Sequence, residues 1–334
     1  YKYDPNDRET ARSFFGTNDE PVVIVSGYAS YSRKHDDRGN ITAAAYFGPD
    51  GNPISRKDGY AKRTYSYNAR GQLIREADFG VDDKLTLNTD GYAIATYGYD
   101  QRGNQNRISF YGIDEKPALF KRFAVAGWQI TFDQRGTITG IEWFGTDGGP
   151  TLGLLGIAGM SSTHDDRGNE TESAFFGLDK GRVLSLWGYA GYRQKFDARG
   201  NVTEKEFFGV DGRAVVTKRG YARSVHTFDS RNNETEAAYY LPDGSRALYV
   251  DLANTGVGGN AGYRQRFDDR GNKTEVVYFG LDGKAVLSSE GLAKIKYEFN
   301  PRGQEVRRAF FDTNDRPTLG LLGYASFRQE FGAF

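Results

Sequence analysis

The chain has 334 residues with 44 basic and 44 acidic side chains, so its formal charge is zero at neutral pH and an electrostatic grip on nucleic acid or an anionic membrane is not expected. It has no cysteine and only three histidines, which removes disulfides, thiol nucleophiles and most zinc chemistry. No apolar run approaches the roughly 18 residues of a membrane span, and the 22 Tyr, 23 Phe and 43 Gly point instead to ring-packed strands and tight turns.

One phrase recurs along the chain: an aromatic residue or His, then Asp or Asn, any residue, Arg, Gly, and Asn or a substitute. A worn copy around Asp7 comes first. It is followed by Asp36-Asp37-Arg38-Gly39-Asn40, Asn68-Ala69-Arg70-Gly71-Gln72, Asp100-Gln101-Arg102-Gly103-Asn104 and six more. The corners fall near 7, 39, 71, 103, 136, 168, 200, 232, 271 and 303, a period of 32 broken by one interval of 33 and one of 39. Self-similarity at such a period signals a repeat architecture. We read one tandem-repeat domain over 1–334, expected to be a piece of a longer protein.

The exceptions define the phrase. A type I turn closed by a G1 bulge takes Asp or Asn first, tolerates Pro second and needs a left-handed residue fourth. Pro5 and Pro301 occupy the second position, and the single loss of glycine after the first copy is to Asn232, which tolerates positive φ. The corner therefore joins two strands. Alternation over 92–99 and 292–299 puts Ala93, Ala95, Tyr97 and Tyr99, or Ala293, Ile295, Tyr297 and Phe299, on one face. One core face and one wet face are expected.

The second strand, as in 202–208 and 273–279, ends in an aromatic doublet such as Phe207-Phe208 or Tyr278-Phe279. Neighbouring residues point to opposite faces, so the doublet needs cover on both. An Asp-Gly turn and a short apolar stretch, as in 281–287, can supply it. The predicted fold is all-β, an elongated array of ten β-hairpin repeats. It would span about 95 Å if each repeat adds two strands and about 48 Å as a single-coil solenoid; the hairpin array is favoured.

Candidate chemistry is sparse. His35 and His164 stand where other copies have an aromatic ring, and His226 has no evident partner. The doubled aspartates Asp36-Asp37, Asp165-Asp166 and Asp268-Asp269 before a corner Arg fit turn capping better than calcium binding. Glu172, Glu204 and Glu275 recur with the period, which fits cross-strand pairing to Arg or Lys better than a catalytic pair. The 39-residue interval carries an insertion near 251–259, with Asp251 and Asn254 as candidate ligand contacts. The phrase Thr-Leu-Gly-Leu-Leu-Gly, at 151–156 and 318–323, is apolar enough for an edge or an inter-repeat staple. Tyr60, Tyr92, Tyr189, Tyr221 and Tyr324, all in Gly-Tyr segments, form a candidate ladder of exposed platforms for sugars.

The corner Tyr99-Asp100-Gln101-Arg102-Gly103-Asn104 resembles the YD repeats of Rhs-type polymorphic toxins. The stretch Tyr278-Phe279-Gly280-Leu281-Asp282-Gly283-Lys284-Ala285-Val286 resembles the hairpins of choline-binding and glucan-binding cell-wall repeats. The whole unit is most similar to bacterial tandem repeats found beside caspase-like peptidase domains. These resemblances imply an accessory, non-catalytic region of a bacterial protein, in the cytoplasm, periplasm or at the cell surface. The expected function is a non-enzymatic scaffold or binding module for a protein partner or another domain of the same chain. The alternative is a binder of carbohydrate or cell envelope through the tyrosine ladder. No catalytic residue, cofactor or metal is expected, nor contact with nucleic acid or insertion into a membrane.

Overall fold

The computed structural model describes residues 1–250, 259–320 and 322–331. Its described residues form 21 strands and no helix. Strands pair antiparallel with their neighbours in sequence, so each repeat contributes one hairpin, as in Gly191–Phe196 with Val202–Phe208. This is the hairpin array and not the one-coil solenoid. The same grammar builds two compact units, Tyr1–Ser161 with Gly177–Gly181, and Ser162–Phe176 with Arg182–Phe334.

The corners have the predicted chemistry. Register shifts stand at the mouths, as between Lys195 and Phe196, and each corner has a left-handed fourth residue: Gly200 at φ 88°, Asn232 at φ 68° and, in the worn copy, Asp7 at φ 61°. The Asp100 carboxylate accepts the Arg102 and Asn104 backbone N–H groups at 2.9 Å and, through its second oxygen, the Asn104 side-chain amide at 2.9 Å. Where Asn68 stands first, its amide instead donates to the Gln72 oxygen at 2.9 Å. The first and fifth residues thus change together so that donor meets acceptor.

The corner arginine, unassigned by the sequence, ties repeats together. Its guanidinium donates to the carbonyl at the second corner position one repeat on: Arg38 to Ala69 at 2.6 Å, Arg70 to Gln101 at 3.0 Å, Arg102 to Gln134 at 2.7 Å, and in the second unit Arg167 to Ala198 at 2.7 Å.

Hydrogen bonds from the Asn side chain and from backbone N–H groups hold the Asp36, Asp100, Asp197, Asp229 and Asp268 carboxyls below the usual range. A depressed folded pKa stabilises above the unfolded value and is lost as pH falls through the folded one. Stability should therefore hold down to about pH 4 and fall below it. Asp100→Asn with Asn104→Gln, which copies the Asn68–Gln72 pair, should make the acid limb of the unfolding curve shallower, as measured by circular dichroism; an unchanged limb would refute this.

Along the hairpins one face is wet, Lys296 and Glu298 being exposed between the more buried Ile295, Tyr297 and Phe299; at the doublets both faces are covered, as expected. On one face the first member of each doublet alternates with the tyrosine of the Gly-Tyr segment in a row of rings. Centroid spacings are 6.0, 4.8 and 6.0 Å along Phe14, Tyr28, Tyr46 and Tyr60, and 5.7, 4.7, 5.8 and 4.7 Å along Phe175, Tyr189, Phe207, Tyr221 and Tyr239. On the other face the second member lies against alanines, as Phe208 does with Ala174 and Ala190. The apolar stretch after the Asp-Gly turn folds back and supplies cover, the Val215 N–H donating to the Phe207 carbonyl at 3.0 Å. The alanine after each Gly-Tyr bridges two hairpins: Ala190 donates to the Phe208 carbonyl at 2.8 Å and accepts from the Phe175 N–H at 2.7 Å. It is fully buried, leaving room for no more than a methyl group.

Candidate functional site

The tyrosine ladder is not displayed as platforms. Tyr60 and Tyr221 are buried at 4% and 9% exposure, and Tyr92, Tyr189 and Tyr324 are half-buried. Burial pushes the phenols of Tyr60, Tyr92, Tyr189 and Tyr221 above the ordinary tyrosine range. These rings seal the joint between hairpins, because the row of doublet rings on the same face is their apolar environment. Asp251 and Asn254 lie outside the described residues.

What the surface does repeat is an aliphatic side chain. Val23, Leu87, Leu119 and Leu152 in the first unit occupy one repeat position and are 45–48% exposed. Leu184, Val216, Leu248, Leu287 and Leu319 occupy it in the second unit at 37–64%; only Ser55 breaks the series. The cause is strand alternation. The preceding residue, such as Thr86 or Val215, bonds back to the doublet through its N–H, which turns the aliphatic side chain outward. A second exposed position, two residues after the doublet, holds Val81, Ile113, Leu178, Val210 and Leu281.

Glu172 meets Arg193 at 2.9 Å, Glu204 meets Lys195 at 2.9 Å and Glu275 meets Arg266 at 3.5 Å, the expected cross-strand pairs. His226, without a partner in the sequence reading, faces Glu234 across its hairpin at 3.5 Å and Ser224 at 3.0 Å. Hydrogen bonding to His226 holds the Glu234 carboxyl low. Among the described residues no group of three or more His, Asp or Glu is arranged to hold a metal ion.

The ring row is broken at Asp78 in a doublet and at Val125, Ile157, Asn260 and Leu292 in the Gly-Tyr slot; two of these places form distinct sites, one around Asp78 and one beside Ile157, and sequence reasoning missed both. The first is polar. Asp78 replaces the first doublet ring and is 1% exposed. It accepts from Arg63 Nε at 2.6 Å, Arg63 Nη2 at 2.8 Å and the Asn88 amide at 2.9 Å. Glu76 lies 3.4 Å from the same guanidinium, and burial raises its carboxyl despite Arg63 and the Tyr97 hydroxyl beside it. A bidentate Arg–carboxylate pair with a third donor satisfies a buried charge. The signal in the sequence was Asp78-Phe79-Gly80, the one doublet without a first ring.

The second is apolar. In the Gly-Tyr slot the tyrosine is replaced by Val125 and, one repeat on, by Ile157. Phe120 and Phe123 refill part of the space near Val125, at 5.0 Å from Phe110 and 6.2 Å from Trp128. Beside Ile157 it stays open as a cavity of about 440 Å³ lined by Phe123, Trp128, Ile141, Trp143, Leu154, Leu155 and Ile157. The same cleft two repeats on is lined by Trp187, Tyr189, Lys205, Phe207, Arg219 and Tyr221 and is smaller, about 300 Å³. The leucines of 151–156 are thus not an inter-repeat staple. Leu152, Leu154 and Leu155 are 45%, 57% and 43% exposed, and the last two rim the cavity.

Among solved structures the chain is similar to TcdB2-TccC3, at 13% identity and TM-score 0.32, over 92% of this chain and 18% of that one. It is also similar to TcdB2-TccC3-Cdc42, at 12% and 0.32 over 91% and 17%. For the Tc holotoxin pore of Photorhabdus luminescens the values are 12% and 0.30 over 92% and 17%. The chain spans less than a fifth of the length of these structures. No protein-family model and no curated protein matches it.

Proposed function

We propose that this chain is a non-enzymatic scaffold or binding module that offers a periodic apolar surface to a protein partner or to another domain of the same polypeptide. The observation that carries the reading is the exposed aliphatic position kept in nine of ten repeats. A solvated side chain has no packing reason to stay apolar with the period, and repeated exposed apolar groups mark contact surfaces. The pairing of the recurrent carboxylates with Arg and Lys supports a role without catalysis. So does the resemblance of the repeat unit to accessory repeats beside caspase-like peptidases and of its corner to YD repeats. A sugar ladder needs open rings, and Tyr60 and Tyr221 are buried.

A photo-crosslinking residue placed at Leu184 or Leu287 is expected to capture a discrete polypeptide in the source cells or a second segment of the chain. The same residue at Arg213, whose side chain is 89% exposed, should capture none. Leu184→Asp with Leu287→Asp should leave stability within about 0.5 kcal/mol and abolish capture from a probe at Val216. Equal labelling at the row and at Arg213, or no labelling at the row, would overturn the reading.

A further inference from the structure

The array contains its own template for the cavity beside Ile157. The loop 151–156 and the loop 318–323 have the same sequence, Thr-Leu-Gly-Leu-Leu-Gly, but the next residue is Ile157 in one and Tyr324 in the other. Tyr324 places its ring 5.7 Å from Phe310 and 6.2 Å edge-on to Phe327. Two repeats beyond Ile157 the slot holds Tyr221, packed 5.8 Å from Phe207. Phe310 and Phe207 occupy the doublet position that Trp143 holds here. At Ile157 the ring is therefore absent from a slot whose walls are still built for one. The lining adds a second indole, Trp128, and carbon-rich side chains throughout. Apolar cavities of roughly 150 Å³ stay dry and accept a benzene-sized ring, and this one is larger.

We propose that this cavity is a binding site for an aromatic side chain, Tyr, Phe or Trp, of a polypeptide partner, which completes the ring row from outside. A polypeptide is favoured over a free aromatic molecule by the rim. Leu154, Leu155 and Phe123 are 57%, 43% and 39% exposed, a wider apolar border than one ring covers, with the exposed Leu152 of the aliphatic row in the same loop. An aromatic anchor flanked by aliphatic residues would fill the slot and cover the border, the arrangement of an interface hot spot. The assignment rests on the reading of the chain as a protein-binding module and names one anchor point on it.

The test uses the whole chain and the probe acetyl-Leu-Tyr-Leu-amide, read by the indole N–H resonances of Trp128, Trp143 and Trp187. Saturable shifts are expected at Trp128 and Trp143 and none at Trp187. The Tyr→Ala probe and free p-cresol should each bind at least about tenfold more weakly. Ile157→Tyr installs the ring found at Tyr221 and Tyr324 and should abolish the shifts while the rest of the spectrum is kept. Leu155→Arg, which copies Arg219, should weaken binding about tenfold and stands in if the first variant misfolds. The proposal is overturned by absence of saturation, by equal binding to Ile157→Tyr, or by p-cresol binding as tightly as the peptide. Crosslinking at Leu184 and Leu287 is independent of these outcomes, so a failure here is distinguishable from a failure of the module reading.

Discussion

Arg63→Ala is expected to lower the unfolding free energy by about 3–5 kcal/mol, because it leaves Asp78 buried without its bidentate partner. The Asn88 amide at 2.9 Å would be the remaining donor to a carboxylate that is 1% exposed. The charge, more than the lost contacts, carries the cost. Arg63→Tyr with Asp78→Phe recreates the cross-strand ring pair of Tyr192 with Phe207, at 6.4 Å. It should unfold at or above the wild-type urea midpoint, since replacing a buried ion pair by well-packed apolar groups is often neutral or stabilising. The deficit of Arg63→Ala should also depend on pH. Burial already holds the Glu76 carboxyl above its ordinary range with Arg63 beside it. A raised carboxyl favours the folded state in acid and penalises it as pH rises, so the deficit should be smaller near about pH 4.5 than near about pH 7. An Arg63→Ala protein as stable as wild type at neutral pH would show that the pair is replaceable by water.

Phe208→Ala should cost about 3–5 kcal/mol in urea unfolding. The ring is fully buried, lies against Ala174, Ala190 and Phe176, and is covered by the guanidinium groups of Arg193 at 4.5 Å and Arg182 at 5.0 Å. It also explains a glycine inside a strand: a Cβ at Gly191 would fall 2.3 Å from the Phe208 ring. The same slot in the first repeat holds Phe15 at 57% exposure, and Phe15→Ala should change stability by less than about 1 kcal/mol. The position is identical in sequence, so the contrast isolates burial as the cause. Equal effects at Phe15 and Phe208 would contradict this account.

These two residues show where legibility in the sequence stopped. The corner was readable because turn chemistry is local: Pro at the second position, Asn232 in place of glycine and Asp or Asn at the start each report a backbone requirement within five residues. The cross-strand pairs of Glu204 and Glu275 were readable for a related reason, since the hairpin register follows from the corner. The need for cover over Phe208 was legible, but not its source, because Ala174, Arg182 and Ala190 reach it from neighbouring segments. The tyrosine ladder was misjudged as display, although equal spacing serves sealing and display alike and only the facing row of rings separates them. The corner arginines had no assigned role because their acceptors lie a full repeat away.

The amino-acid order alone thus determined the period, the antiparallel hairpin and the location of every corner, all of which depend on backbone preferences and residue alternation over short range. The tertiary structure decided which apolar side chains became core and which remained a surface row, and it turned single departures from the repeat into a buried ion cluster at Asp78 and an open slot at Ile157. Those outcomes depend on which side chains about 32 positions apart in the sequence are brought face to face, and on whether the space left by a missing ring is refilled.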